Sequence, residues 1–205
     1  MGNFSELPQG LASKIFRVNL LSNVKMIETI LPGMLRRNLG IVVSDLSRAN
    51  HALIMRGSWD CFSQVNIASM TGWRPLPYMS SYPASKAAIS FFSDSLADEF
   101  GDGKTNVRIQ CLIPLLVATK IASYDASEAN NIWVVDVKTF ARQAVRLIGN
   151  YRISTGCFPH DMQIAFGTLL SFSLFKQLFV PFVLLGVHRK RVERFQTSRG
   201  ERGEE

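Results

Sequence analysis

The sequence is poor in cysteine, histidine and acid. Its three cysteines, Cys61, Cys111 and Cys157, are odd in number and far apart. They show neither a disulfide pattern nor metal-ligand spacing, so no metal site is read and a reducing compartment or cytosolic face is expected. The three histidines, His51, His160 and His188, lie in no triad context, which argues against a serine nucleophile. No apolar signal region opens the chain, and Glu6 in "MGNFSELPQG" stands where a myristoylation signal wants Ser or Thr. Acidic residues number 16 against 23 basic ones, a formal charge of +7, with much of the surplus in "HRKRVERFQTSRGERGEE" near the C-terminus. No nucleic-acid module accompanies that charge, so nucleic acid is not an expected partner. A solvated tail and a patch facing acidic lipid headgroups both fit it.

What is present is apolar residue in quantity, 47% of 205 residues, enough for one substantial core and one domain. From about Leu11 to Arg37 apolar residues recur at helical spacing, including Ile15, Val18, Leu21, Val24, Ile27 and Leu31. Pro32-Gly33 is expected to kink or end this helix. "GIVV" at 40–43 and "VNIAS" at 65–69 have strand character. The stretch between them, about 44–65, has mixed polarity and reads as an insertion interrupting one continuous strand. A second long helix is expected from Ser80 to about Phe100, a turn at "GDGKTN", a buried strand at 107–113, and an amphipathic helix over 137–149 ended by Gly149. This alternation predicts an α/β fold with a parallel sheet.

The chemistry sits in "NIASMTGWRPLPYMSSYPASKAAISFF", residues 66–92. Residues four apart share a helix face, which places the Lys86 ammonium near the Tyr82 phenol. A nearby positive charge favours phenolate, making Tyr82 a proton donor or acceptor near neutral pH. Ser69, at the end of the preceding strand, is placed to hydrogen-bond the same substrate oxygen and stabilise charge developing there.

Ser69 after a strand, Tyr82 opening a helix and the run "YPASK" together resemble the short-chain dehydrogenase/reductase family, over roughly residues 10–160. Within that resemblance "FRVNLLSNVKMIETILPGML" matches the helix that supplies the family's asparagine, here Asn19. "LIPLLVATK" matches the segment bordering the nicotinamide, with Pro114 and Thr119, although the usual Pro-Gly is Pro114-Leu115 here. With the "VATK" ending, the chain is similar to the branch of 17β-hydroxysteroid dehydrogenases types 3 and 12 and very-long-chain 3-oxoacyl-CoA reductases.

The resemblance implies NADP(H)-dependent interconversion of a carbonyl and an alcohol on a steroid or long-chain 3-oxoacyl-CoA. Tyr82 would transfer the proton, Ser69 would hold the substrate oxygen, and Lys86 would lower the tyrosine pKa and bind the nicotinamide ribose. Asn19 would order a relay water, and Pro114 and Thr119 would border the nicotinamide. Trp73, Pro75, Leu76, Pro77 and the segment from Val117 to Trp133 would line the substrate pocket.

The family's glycine-rich pyrophosphate turn has no counterpart here, since Gly101 and Gly103 lie between a helix and a late strand. The expected fold is therefore the C-terminal part of a Rossmann-like doubly wound parallel sheet that lacks the first strands and leaves one sheet edge unpaired. Weak or absent NADPH binding is expected with it. A truncated, catalytically silent homologue that forms homodimers through its two long helices is the alternative.

The division expected is 1–160 as a partial dehydrogenase domain and 161–205 as an apolar segment with a basic tail. The run 162–187 is long enough to span a membrane, but Lys176 near its centre and Pro181 oppose a span. An interfacial helix or hairpin, a true span and packing on the core all remain open. By resemblance the membrane would be that of the endoplasmic reticulum, cytoplasmic face, with a cytoplasmic location as the alternative.

Overall fold

The computed structural model describes residues 4–38, 42–44, 62–77, 79–101, 103–119 and 133–179. Its main sheet has the order β1-β2-β3-β6, formed by β1 (Val42–Ser44), β2 (Phe62–Ile67), β3 (Val107–Leu112) and β6 (Ile153–Ser154), and every pair is parallel. A smaller parallel pair, β4 (Leu116–Val117) and β5 (Val134–Val135), follows β3. The helices are α1 (Leu11–Phe16), α2 (Ser22–Arg37), α3 (Ser81–Glu99), α4 (Val137–Leu147), α5 (Phe158–Leu169) and α6 (Phe172–Phe179).

Both faces of the sheet are covered, as a parallel sheet requires. On one face Val107 and Ile109 of β3 pack with Met34 of α2, while Ala68 and Cys111 pack with Ile89 of α3. On the other, Val65 and Leu112 pack with Ala144 and Ile148 at the end of α4. Alternate residues of β3 serve opposite layers, Val107, Ile109 and Cys111 on one side and Leu112 on the other, which is the strand period of two. The expected α/β doubly wound class is therefore observed.

Polar side chains stand inside the central strands and are paired. Asn66 donates from Nδ2 to Ser93 Oγ at 2.8 Å, and Ser93 donates to Ile89 O at 2.6 Å. Gln110 accepts from the Gly149 amide at 2.8 Å and donates to Tyr151 O. Burial of such groups is tolerated because each has a partner.

Two local expectations are corrected. First, "GIVV" and "VNIAS" do not form one interrupted strand. β1 lies beside β2 in register Val42↔Gln64, Val43↔Val65 and Ser44↔Asn66, so both ends of the 44–65 stretch belong to the sheet. Parallel neighbours need a crossover of about a dozen residues or more, a length that residues 45–61 provide. Those residues lie outside the described ones. Second, Pro32 does not end the first long helix, which runs on to Arg37 and stops at Asn38 in the left-handed region, φ 50°. Asn38 is the type of residue that closes a helix this way, and its side chain accepts the Asn106 amide. The stretch beginning at 162, for which an interfacial helix or hairpin, a span and packing on the core are open, is helical in two pieces as far as residue 179. It is divided by extended backbone at Leu170 between α5 and α6. Among the described residues no helix is long and apolar enough to cross a membrane.

Candidate active site

The β2 strand ends at Ile67, and its terminal carbonyl anchors the centre of the site. Lys86 is 2% exposed, and its Nζ donates to Ile67 O at 2.8 Å. The same ammonium lies 5.9 Å from the centroid of the Tyr82 ring. The i,i+4 placement expected on α3 is therefore present, with the lysine buried and the tyrosine half-buried at the helix start.

Asn19 reaches this point from the other long helix. It lies in a π-helical stretch, Arg17–Leu21, between α1 and α2, where the wider turn changes which side chains face α3. Its Nδ2 donates to Ser85 Oγ at 3.0 Å, and Ser85 donates to the Tyr82 carbonyl at 2.7 Å. Asn19 thus touches the turn that carries Tyr82, through a serine the sequence reading had passed over. Asn23 donates to Asn19 O at 3.0 Å.

Ser69 caps the short 3-10 turn Met70–Gly72. Its Oγ accepts from the Thr71 amide at 3.3 Å and from Thr71 Oγ1 at 3.1 Å. Both bonds use the oxygen as acceptor, which leaves the serine's own proton to donate elsewhere. The turn is pressed onto α3 at Gly72, where a Cβ would come within 2.6 Å of the Ala87 nitrogen and 2.8 Å of the Lys86 carbonyl carbon. Glycine is required there by the close approach of two backbones. The Met70 amide donates to Pro114 O at 3.2 Å, which joins the serine loop to the segment after β3.

The remaining expected residues are more dispersed. Val117 is half-buried in β4, and Thr119 stands exposed just beyond it with its amide on Val117 O at 2.7 Å. Leu76 is buried, whereas Trp73 is 46% exposed. Most of the stretch from Val117 to Trp133 lies outside the described residues.

His160, which lies in no triad pattern in the sequence, is fully buried against the segment that follows β3. Its Nδ1 accepts the Leu115 amide at 3.4 Å, and its Nε2 faces Leu116 O at 3.3 Å. A neutral ring carrying its proton on Nε2 satisfies both peptide groups. Burial pushes its pKa below the ordinary value of 6.5, against the pull of the Leu116 and Thr155 carbonyls and Asp161. Burial also raises the Cys111 and Cys157 thiols, so neither is a ready nucleophile.

The residues present, a buried ammonium beside the half-buried Tyr82 ring, are of a kind that fits the nicotinamide end of a dinucleotide. Among the described residues no group of histidines, cysteines and acids could hold a metal.

Known proteins resemble the chain over the same stretch. The short chain dehydrogenase family model matches residues 63–130, the stretch that holds Ser69, Tyr82, Lys86, Pro114 and Thr119. The mouse very-long-chain 3-oxoacyl-CoA reductase is 25% identical over 181 residues, covering 87% of this chain and 49% of that protein. The bovine protein of the same name is 30% identical over 149 residues, covering 73% and 39%. An orangutan relative named inactive hydroxysteroid dehydrogenase-like protein 1 is 27% identical over 164 residues, covering 80% and 42%. The chain thus spans about half or less of the length of these relatives. Among solved structures, a Burkholderia cenocepacia short chain dehydrogenase in complex with NADP aligns with TM-score 0.60 at 17% identity, covering 87% of this chain and 65% of that one. A 7β-hydroxysteroid dehydrogenase aligns with TM-score 0.63 at 14% identity, covering 86% and 61%, and these two likenesses speak to the fold. The matched family model and the curated relatives together support a short-chain dehydrogenase/reductase family member, of the branch that holds the very-long-chain 3-oxoacyl-CoA reductases.

Proposed function

We propose that the chain carries the reaction centre of an NADP(H)-dependent oxidoreductase that interconverts a carbonyl and an alcohol on a lipid-like substrate, a long-chain 3-oxoacyl-CoA or a steroid. The observation that carries this reading is the joint placement of Lys86, Tyr82, Ser69 and Asn19. A buried ammonium fixed by Ile67 O sits beneath the Tyr82 ring, and the serine loop is seated on the same turn of α3.

In this reading Ser69 donates its free proton to the substrate carbonyl and holds the oxygen. Tyr82 protonates that oxygen as negative charge develops, and Lys86 stabilises the phenolate left behind. Asn19 and Ser85 fix the turn bearing Tyr82 and guide the returning proton. Lys86, Tyr82, Pro114 and Thr119 would hold the nicotinamide end of the cofactor, which supplies the hydride when bound. Trp73, Leu76 and Val117 would line the apolar part of the pocket.

Exposed Met162, Phe166, Leu169, Phe172 and Leu174 on α5 and α6 support an accompanying location at a membrane surface, the cytoplasmic face of the endoplasmic reticulum in this reading. Exposed Val18, Leu21 and Phe91 on the two long helices support a homodimer.

A second reading is a catalytically silent homologue acting through that dimer, favoured by the relative whose name declares it inactive. Calorimetric titration of NADPH, followed by turnover assays with a long-chain 3-oxoacyl-CoA and a 17-ketosteroid, separates the two. Turnover of either substrate, even with the weak NADPH binding expected from the sequence, supports the reductase. Dimerisation with neither binding nor turnover supports the silent homologue.

A further inference from the structure

Arg74 follows the serine loop and makes no ion pair with a carboxylate among the described residues. Its donors go elsewhere. Nη2 donates to Gly167 O at 3.2 Å and to Leu170 O at 3.3 Å. These carbonyls belong to the C-terminal end of α5, where backbone acceptors lack intrahelical partners and the helix dipole is negative. The guanidinium also lies among three aromatic rings, 4.8 Å from the Trp73 centroid, 5.3 Å from Phe175 and 5.5 Å from Phe172. Phe175 is 6% exposed while Trp73 and Phe172 are 46% and 43% exposed, so the arrangement is buried on the Phe175 side only. Gly167 is buried, and a Cβ there would meet Met70 Cε at 3.8 Å, ordinary van der Waals distance. The loop that begins with Ser69 is therefore joined to the helical pair through Arg74, with Met70 Cε in the neighbourhood of Gly167.

We infer that Arg74 is a positioning residue that fastens α5 and α6 to the substrate loop, so that Trp73 and the helical pair form one wall of the substrate pocket. A planar guanidinium suits this role because it donates in its plane while its faces stack on rings. Lysine could supply charge but neither the fork nor the stacking surface. The consequence for catalysis rests on the reductase reading: Arg74 acts through Trp73 on capture of a long apolar chain, and not on proton transfer at Tyr82.

The joint itself is tested without any ligand, by hydrogen exchange of the whole chain and of Arg74→Lys, Arg74→Met and Gly167→Ala. Arg74→Lys and Arg74→Met are expected to speed amide exchange about tenfold or more in both 70–77 and 158–172, with β3 unchanged. Gly167→Ala, which keeps both Arg74 bonds, is expected to leave exchange as it was. Unchanged exchange in either segment in both arginine variants would overturn the inference. So would equal acceleration throughout β3 in both, which would mean general loss of fold.

The catalytic arm uses NADPH with a long-chain 3-oxoacyl-CoA and with acetoacetyl-CoA. In Arg74→Lys the KM for the long chain should rise about tenfold while kcat stays within about twofold and acetoacetyl-CoA is unaffected. A fall in kcat with KM unchanged would contradict the positioning role. No turnover by the unsubstituted chain would count against the reductase reading, while the exchange result alone decides the joint.

Discussion

Around Lys86 the polar groups are buried and, Asn23 Oδ1 excepted, paired, whereas along α5 and α6 large apolar side chains are exposed. Lys86 is 2% exposed and Asn66 fully buried, yet Leu169 is 81% exposed and Phe158 69%. Leaving polar atoms unpaired in the core would cost about 1 to 3 kcal/mol each, so hydrogen bonds such as Lys86 to Ile67 and Asn66 to Ser93 are a condition of that region folding at all. No such condition forces the exposed leucine and phenylalanines outward. The first region is the one proposed as a reaction centre, and the second the one proposed to face an apolar partner or surface.

The largest effect that would sharpen this contrast is in the core. Ile89→Ala removes a fully buried side chain from the layer between α3 and the sheet and should cost about 2 to 5 kcal/mol in urea unfolding. Leu169→Ala should fall within about 0.5 kcal/mol of the unsubstituted chain. Equal costs at the two positions would break the distinction.

Next in size is Gly72→Ala. Its added methyl meets backbone rather than a movable side chain, so the serine loop must lift from α3. A loss of about 1 to 3 kcal/mol is expected, with turnover falling further than stability. A variant as stable and active as the unsubstituted chain would show that Ser69 does not depend on that seat.

Smaller again is the pH effect of His160. Its folded pKa is depressed, so below the ordinary value of 6.5 the unfolded chain binds a proton that the folded chain resists. Stability should therefore fall as pH drops from about 6.5, and it should be insensitive to this group above that value. Replacing His160 with Gln, which retains a donor and an acceptor, should flatten the slope of the urea midpoint in that window. Carboxylates act in a lower window, since hydrogen bonding from Arg152 holds Asp98, and from Thr139 holds Asp136, below the usual 3.8. An unaltered slope in His160→Gln would assign the acid sensitivity to other groups.

The smallest stability effect is expected for Phe166→Ser with Leu169→Ser, about 0.5 kcal/mol or less, because both side chains are already exposed. The same pair should lower sedimentation with phosphatidylcholine vesicles severalfold. Undiminished vesicle binding would remove α5 as the lipid-facing surface.

The contrast also shows what the sequence could and could not disclose. Tyr82 and Lys86 were legible because four residues on one helix fix a shared face, and Ser69 because a strand end precedes it. Ser85 was not, since its partner Asn19 lies 66 positions away. The π-helical stretch holding Asn19 has the same apolar spacing as its α-helical flanks, so periodicity could not reveal it. The strands β1 and β2 present similar short runs, and pattern cannot tell one interrupted strand from two neighbours. His160 and Arg74 acquire their roles from backbone carbonyls and amides, which carry no residue identity to read. Pro32 misled because its helix is held by packing of Ile27, Ile30 and Met34 as well as by local propensity.

The central claim is tested most directly at Tyr82. Reduction of a long-chain 3-oxoacyl-CoA by NADPH should be measured for the unsubstituted chain and for Tyr82→Phe, with both shown to melt at the same temperature. The account predicts a fall in turnover of about 10² to 10⁴-fold on losing that one hydroxyl. Turnover undiminished in Tyr82→Phe would contradict it.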